Sequence, residues 1–160
     1  MLDYPAGDCP SIVGQWQAFE DMLAANKTRS IAVSNFSPAQ LDCIVSNKSA
    51  TVPAVNQLPY SVGSGADSSV ADNAKRGGII VQAYSPLDSG SLASDPDCQS
   101  IGAKHHKSAA QVALKWILQR NATFTTETQT KQYFQEDLDL FDFQLTPAEM
   151  AKLNAKAAGH

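Results

Sequence analysis

Hydrophobic and polar positions alternate between two periods along the 160 residues of the chain. Ile12, Val13, Trp16, Phe19, Met22 and Leu23 recur at helical spacing and predict a helix over 12–26. Ser30-Ile31-Ala32-Val33 is a short apolar run and reads as a strand. Ser37-Pro38-Ala39-Gln40 follows, a capping box with proline at the first helical position, and Leu41, Ile44 and Val45 supply that helix's buried stripe. Pro53-Ala54-Val55-Asn56 reads as the next strand. Asp67 is expected to cap a helix reaching about Lys75, which Gly77-Gly78 stops. Ile79-Ile80-Val81-Gln82-Ala83 is a strongly apolar strand, and 85–98 is rich in turn residues. Ser108-Ala109-Ala110-Gln111 is a second capping box, with Ala109, Val112, Ala113, Trp116 and Ile117 on one helical face. Ala122-Thr123-Phe124 is a weaker strand and 128–135 a short helix. Thr146-Pro147-Ala148-Glu149 opens a final helix with Met150 and Leu153 inside. Met1-Leu2 is a strand stub.

No strand has a hairpin signal. Short apolar strands alternating with helices imply parallel pairing and an α/β fold with helices covering the sheet. Composition shows no break that would mark a linker, so residues 1–160 are expected to form a single domain. That length falls short of a complete eight-stranded α/β barrel, which needs about 250 residues.

Charge narrows the function. Lys plus Arg number 12 and Asp plus Glu 16, for a net charge of −4, with no basic run, so the footprint of nucleic-acid or anionic-membrane binding is absent. No apolar run approaches the roughly 20 residues of a membrane span. The N-terminus resembles neither a signal nor a transit peptide, which predicts a cytoplasmic protein. Cys9, Cys43 and Cys98 are odd in number and widely spaced, and read as free thiols in a reducing compartment. The remaining polar clusters read as ordinary surface. His105-His106 is a surface pair, since adjacent helical residues point to different faces. Glu136, Asp137, Asp139 and Asp142 form a solvated face, Gly63-Ser64-Gly65 a flexible turn, and Asp8 and Cys9 belong to a loop.

In parallel α/β folds the chemistry gathers at the carboxyl ends of the strands. Here those ends carry Ser34-Asn35-Phe36, Asn56-Gln57, Tyr84-Ser85-Pro86-Leu87 and Thr125-Thr126-Glu127. Amides and hydroxyls on one rim suit a carboxamide, and a tyrosine face suits a flat ring.

The same segments carry a resemblance. Lys27 to Phe36 looks like the aldo-keto reductase signature around its fifth strand. Pro53 to Gln57 resembles the sixth-strand motif, Gln82 to Leu87 the seventh, Lys107 to Trp116 the following helix, and Phe141 to Thr146 the segment before the last helix. The resemblance implies part of a (β/α)₈ TIM barrel: about four parallel strands with flanking helices, from the end of strand 4 onward. It also implies NAD(P)H-dependent carbonyl reduction. Ser34, Asn35 and Gln57 match the holders of the nicotinamide carboxamide, and Tyr84 the aromatic that stacks on the ring. Ser85, Leu87 and Ser89 fall in the loop under the pyrophosphate, where Asp88 replaces a common glycine. Residues 125–131 fall where the family reads the adenosine 2′-phosphate; its lysine-serine pair and arginine are not evident, and Lys131 is the cation left. NADP or NAD is the expected cofactor, with a weak 2′-phosphate site.

The family's catalytic aspartate, tyrosine and lysine precede its fourth strand, and the chain opens at that strand's end. Asp3 stands where the catalytic histidine is usual, and Tyr4 stands one place later. No catalytic residue and no metal ligand is therefore assigned. Two readings stay open: an aldo-keto reductase inactive as this isolated chain, or a non-catalytic nucleotide-binding or scaffold subunit. Three histories fit them: a truncated product, a small protein whose open half-barrel is covered by self-association or a partner, or a second half supplied as a separate chain.

Overall fold

Five strands are hydrogen-bonded in chain order, β1 (Leu2–Asp3), β2 (Val33–Ser34), β3 (Val55–Pro59), β4 (Ile80–Tyr84) and β5 (Thr123–Phe124). The register pairs Leu2 with Val33 and Val33 with Asn56, both in parallel. This computed structural model describes residues 1–64 and 68–157. The expected helix cap Asp67, and Gly65 of the expected turn, lie outside them. The chain divides into two compact units, Met1–Leu58 with Ser68–Gln82, and Pro59–Asp67 with Ala83–His160.

The first unit holds α1 (Cys9–Ala24), α2 (Pro38–Val45) and α3 (Ser69–Ala74). Asp8 is the N-cap of α1, accepting from the Ser11 N–H at 2.9 Å, so the expected loop at Asp8-Cys9 is a helix start. Ile12 and Trp16 point inward one turn apart, with Phe19 and Leu23 half-covered behind them. They pack with Ile31, Val33, Phe36, Leu41, Ile44 and Ile79. Each such large apolar side chain contributes about 1.5–3 kcal/mol on burial. The Trp16 indole N–H donates to the Thr51 carbonyl at 2.9 Å.

Packing of α1 on α2 overturns the cysteine expectation. Cys9 and Cys43 are disulfide-bonded, with Cα atoms 5.3 Å apart. Cys98 alone is a free thiol, and burial, with Asp95 beside it, pushes its pKa up to about 12.

The second unit holds a 3₁₀ segment (Asp88–Ser94), α4 (Pro96–His105), α5 (Ala109–Gln119), α6 (Lys131–Leu138) and α7 (Pro147–Ala157). The expected turn region at 85–98 is thus partly helical. Asp95 starts α4 by accepting from the N–H groups of Asp97 and Cys98, both at 3.0 Å. A Cβ on Gly102 would meet the Lys107 carbonyl at 2.3 Å, so α4 reaches the next turn only with glycine there. Helix α5 is buried on nearly every side, Lys115 included. The Lys115 ammonium donates to the Leu140 carbonyl at 2.8 Å and lies 5.4 Å from the centre of the Phe143 ring.

Charged groups expected on the surface hold this unit together. The Lys107 ammonium sits 2.7 Å from an Asp139 oxygen and 2.8 Å from an Asp142 oxygen, so half of the acidic run clamps a lysine. His105 is half-buried rather than a surface residue: its Nε2 lies 3.0 Å from Glu149, which the Thr146 N–H also bonds at 2.9 Å. Burial alone would raise the Glu149 carboxyl. The bonds from His105 and Thr146 outweigh it and lower the pKa to about 2. His106 is exposed and closes α4 in a left-handed conformation.

Candidate functional site

In the first unit, Ser34 and Gln57 face each other across the β2–β3 ladder, where parallel strands end. Asn35 follows in the left-handed region at φ 62°, which asparagine tolerates better than most residues and which turns its amide back toward the strand ends. The Ser34 hydroxyl is buried and donates to the Gln57 carbonyl at 3.1 Å. The Asn35 amide nitrogen donates to that hydroxyl and to the Asp3 carboxylate, each at 3.1 Å. The Gln57 amide nitrogen donates to the Gln82 side-chain carbonyl at 2.7 Å, while Gln57 Oε1 has no hydrogen bond among the described residues. Three of the sequence-predicted residues therefore form one interlocked set. Its side-chain N–H and C=O groups match the donor and acceptor pattern of a carboxamide. Asn56, beside them, is not part of that set. It is fully buried, donating to the Phe36 carbonyl at 2.8 Å and the Asn73 side chain at 3.0 Å, and so anchors the turn after β2.

In the second unit, Tyr84, Ser85, Leu87 and Ser89 line one cleft of about 570 Å³, together with Gly90 and Thr125 to Glu127. Ser85, Asp88 and Ser89 have φ of 49°, 48° and 53°, and Gly90 has 91°. Side chains other than glycine cost about 1–3 kcal/mol in such sparsely populated conformations and cluster where a loop approaches a ligand. Short hydroxyl and hydrogen side chains suit close approach by a pyrophosphate. Asp88 is held by the Ser91 hydroxyl, which donates to its carboxylate at 2.7 Å. Lys131, the remaining sequence-predicted residue, is exposed at the start of α6 and is not in the lining of this cleft.

A second cleft, about 340 Å³, is walled by Ser108, Glu127, Tyr133, Glu136 and Asp137 among others. Burial, helped by the charge of Glu136, raises the Asp137 carboxyl above its ordinary value. The helical spacing of 133, 136 and 137 is the signal that could have placed these three on one wall. A third cleft, about 580 Å³, is apolar, with Phe124, Phe134, Leu138 and Phe141 in its lining. Among the described residues no group of three or more His, Cys, Asp or Glu is placed to hold a metal ion. No helix among them is long and apolar enough to cross a membrane.

Known proteins resemble this chain in sequence and in fold. An aldo-keto reductase of Mycolicibacterium vanbaalenii is 35% identical over 159 residues, covering 99% of this chain and 56% of that protein. Morphine 6-dehydrogenase of Pseudomonas putida is 31% identical over 176 residues, covering 99% of this chain and 57% of that protein. An aldo/keto reductase structure from Brucella melitensis superposes with a TM-score of 0.87 at 28% identity, over 96% of this chain and 58% of that one. An aldo-keto reductase solved with NADPH superposes with a TM-score of 0.82 at 29% identity, over 91% and 47%. The chain thus spans a little over half the length of the curated relatives it matches, and its fold is part of their barrel. Residues 2–158 match the sequence model of the Aldo/keto reductase family, and the chain belongs to that family.

Proposed function

We propose that residues 1–160 supply the nicotinamide-cofactor contacts of an NAD(P)H-dependent carbonyl reductase and correspond to the C-terminal half of its barrel. The observation that carries this reading is the interlocked set of Ser34, Asn35 and Gln57 at the strand ends. Gln57 Oε1 would accept from the carboxamide of a nicotinamide, with Ser34 and Asn35 fixing the amide beside it. In the second unit, by the family resemblance, Tyr84 would be the residue that stacks on a nicotinamide ring and Ser85, Leu87 and Ser89 those that border a pyrophosphate. The bound nicotinamide supplies the hydride; this chain's residues orient it.

Reduction also needs an acid. Hydride delivery to a carbonyl leaves negative charge on the oxygen, and a positioned acid contributes about 10²–10⁴-fold. Asp3 is exposed and accepts a bond from Asn35, and as a carboxylate it would repel that oxyanion rather than protonate it. The second reading, a silent nucleotide-binding or scaffold subunit, draws on this same residue.

Calorimetric titration with NADH should show binding that Gln57→Ala weakens about 2–10-fold, the effect of one lost hydrogen bond. Oxidation of NAD(P)H with a small aromatic aldehyde should stay well below about 1 s⁻¹, the low end of ordinary enzyme turnover. Absence of any nicotinamide binding refutes the cofactor role. Turnover at ordinary rates, lost in Tyr84→Ala and Gln57→Ala, refutes the inactive and scaffold readings together.

A further inference from the structure

Two clefts of the second unit share four lining residues, Leu87, Gly90, Thr126 and Glu127, and so run into one another. One extends from Tyr84 past the left-handed loop; the other continues to Tyr133, Glu136 and Asp137. Their volumes, about 570 and 340 Å³, each suit a small-molecule fragment. Resting on the cofactor reading above, in which the segment around residues 125–131 borders the adenosine end of the dinucleotide, we propose that Glu127, at the junction of the two clefts, selects an unphosphorylated ribose, so that the chain prefers NADH to NADPH.

The chemistry of the walls carries this choice. A ribose 2′-hydroxyl donates to a carboxylate, a common means of recognising NAD. A 2′-phosphate brings a charge of about −1.5 to −2 at neutral pH. It would enter a cleft whose lining holds Glu127, Glu136 and Asp137 and no lysine or arginine. Phosphate sites instead rely on such cations. Lys131 lies outside both linings and is exposed. The raised carboxyl of Asp137 reflects an enclosed wall already crowded with negative charge, to which a phosphate would add. Tyr133 supplies an aromatic face in the same cleft on which a purine can stack.

Calorimetric titration of the chain with NADH and with NADPH tests the proposal. NADH should bind at least about tenfold tighter. Glu127→Lys should abolish or reverse that preference, and Tyr133→Ala should weaken both cofactors alike. Glu127 and Tyr133 are exposed, so their variants should melt as the parent does. Equal or tighter binding of NADPH overturns the inference and leaves the cofactor reading standing. So does an NADH preference that Glu127→Lys leaves unaltered, because selection would then lie elsewhere. Binding of neither cofactor overturns the cofactor reading and this inference with it.

Discussion

Removing the Cys9–Cys43 bond should cost the first unit much of its stability. The bond joins residues 34 apart in sequence, the first residue of α1 and the middle of α2. Closing a loop of that length restricts the unfolded chain by an entropy worth about 4 kcal/mol at 25 °C in the chain-entropy treatment. Globular proteins are stable by only roughly 0.05–0.15 kcal/mol per residue, so the loss is a large share of the total. With a urea slope of about 2 kcal/mol per molar, the midpoint should fall by roughly 2 M. Trp16 lies in this unit and Trp116 in the other, so fluorescence of a Trp116→Phe variant, with and without reductant, follows the first unit alone. Thiol titration of the denatured, unreduced chain should find one thiol, Cys98. Three thiols in that titration, or a loss under about 1 kcal/mol on reduction, would refute the reasoning.

Two further outcomes are expected. Glu149 has a folded pKa of about 2, below its ordinary 4.5, so the stability it contributes is present above pH 4.5 and is lost as pH falls toward 2. Acid unfolding over that window should flatten in Glu149→Gln, and an unchanged profile would discount the His105–Thr146 cradle. Phe134, Leu138 and Phe141 are exposed, Phe141 by 81%, and line an apolar cleft, so the purified chain should self-associate. Light scattering that finds a monodisperse 17.1 kDa species with a cooperative melt would refute this.

Three helices were legible from the capping box that opens each. Ser37 with Gln40, Ser108 with Gln111 and Thr146 with Glu149 all make the capping bonds their spacing predicts. Strand ends were less legible, because register depends on partners far away. The first full strand shifts from 30–33 to Val33–Ser34, and the next runs on from Asn56 to Pro59, since the ladder sets Val33 against Asn56. The 85–98 stretch reads as turns on its serines and glycine, and it is partly so, with a 3₁₀ segment broken at Ser89 and Gly90. Asp95-Pro96 is nonetheless a helix start, and the 3₁₀ segment before it tolerates the left-handed residues that make a stretch read as turns. The disulfide had no local signature at all: only the packing of α1 on α2 brings Cys9 to Cys43.

Charge divides what the sequence shows of the site from what it conceals. The amide and hydroxyl set was legible because strand ends follow directly from strand pattern, and Ser34, Asn35 and Gln57 need only the β2–β3 register to meet. Charged residues acquire meaning from partners 25 or more positions away. Asp139 and Asp142 look like the same acidic surface as Glu136 and Asp137, yet the first two neutralise Lys107 while the other two wall a cleft. A count along the chain registers the shortage of cations near Lys131 but cannot tell a neutral site from a negative one. Glu136 and Asp137 share a cleft lining with Glu127 and make it negative, and under the proposal a negative lining would discriminate between the two cofactors where a neutral one would bind both alike.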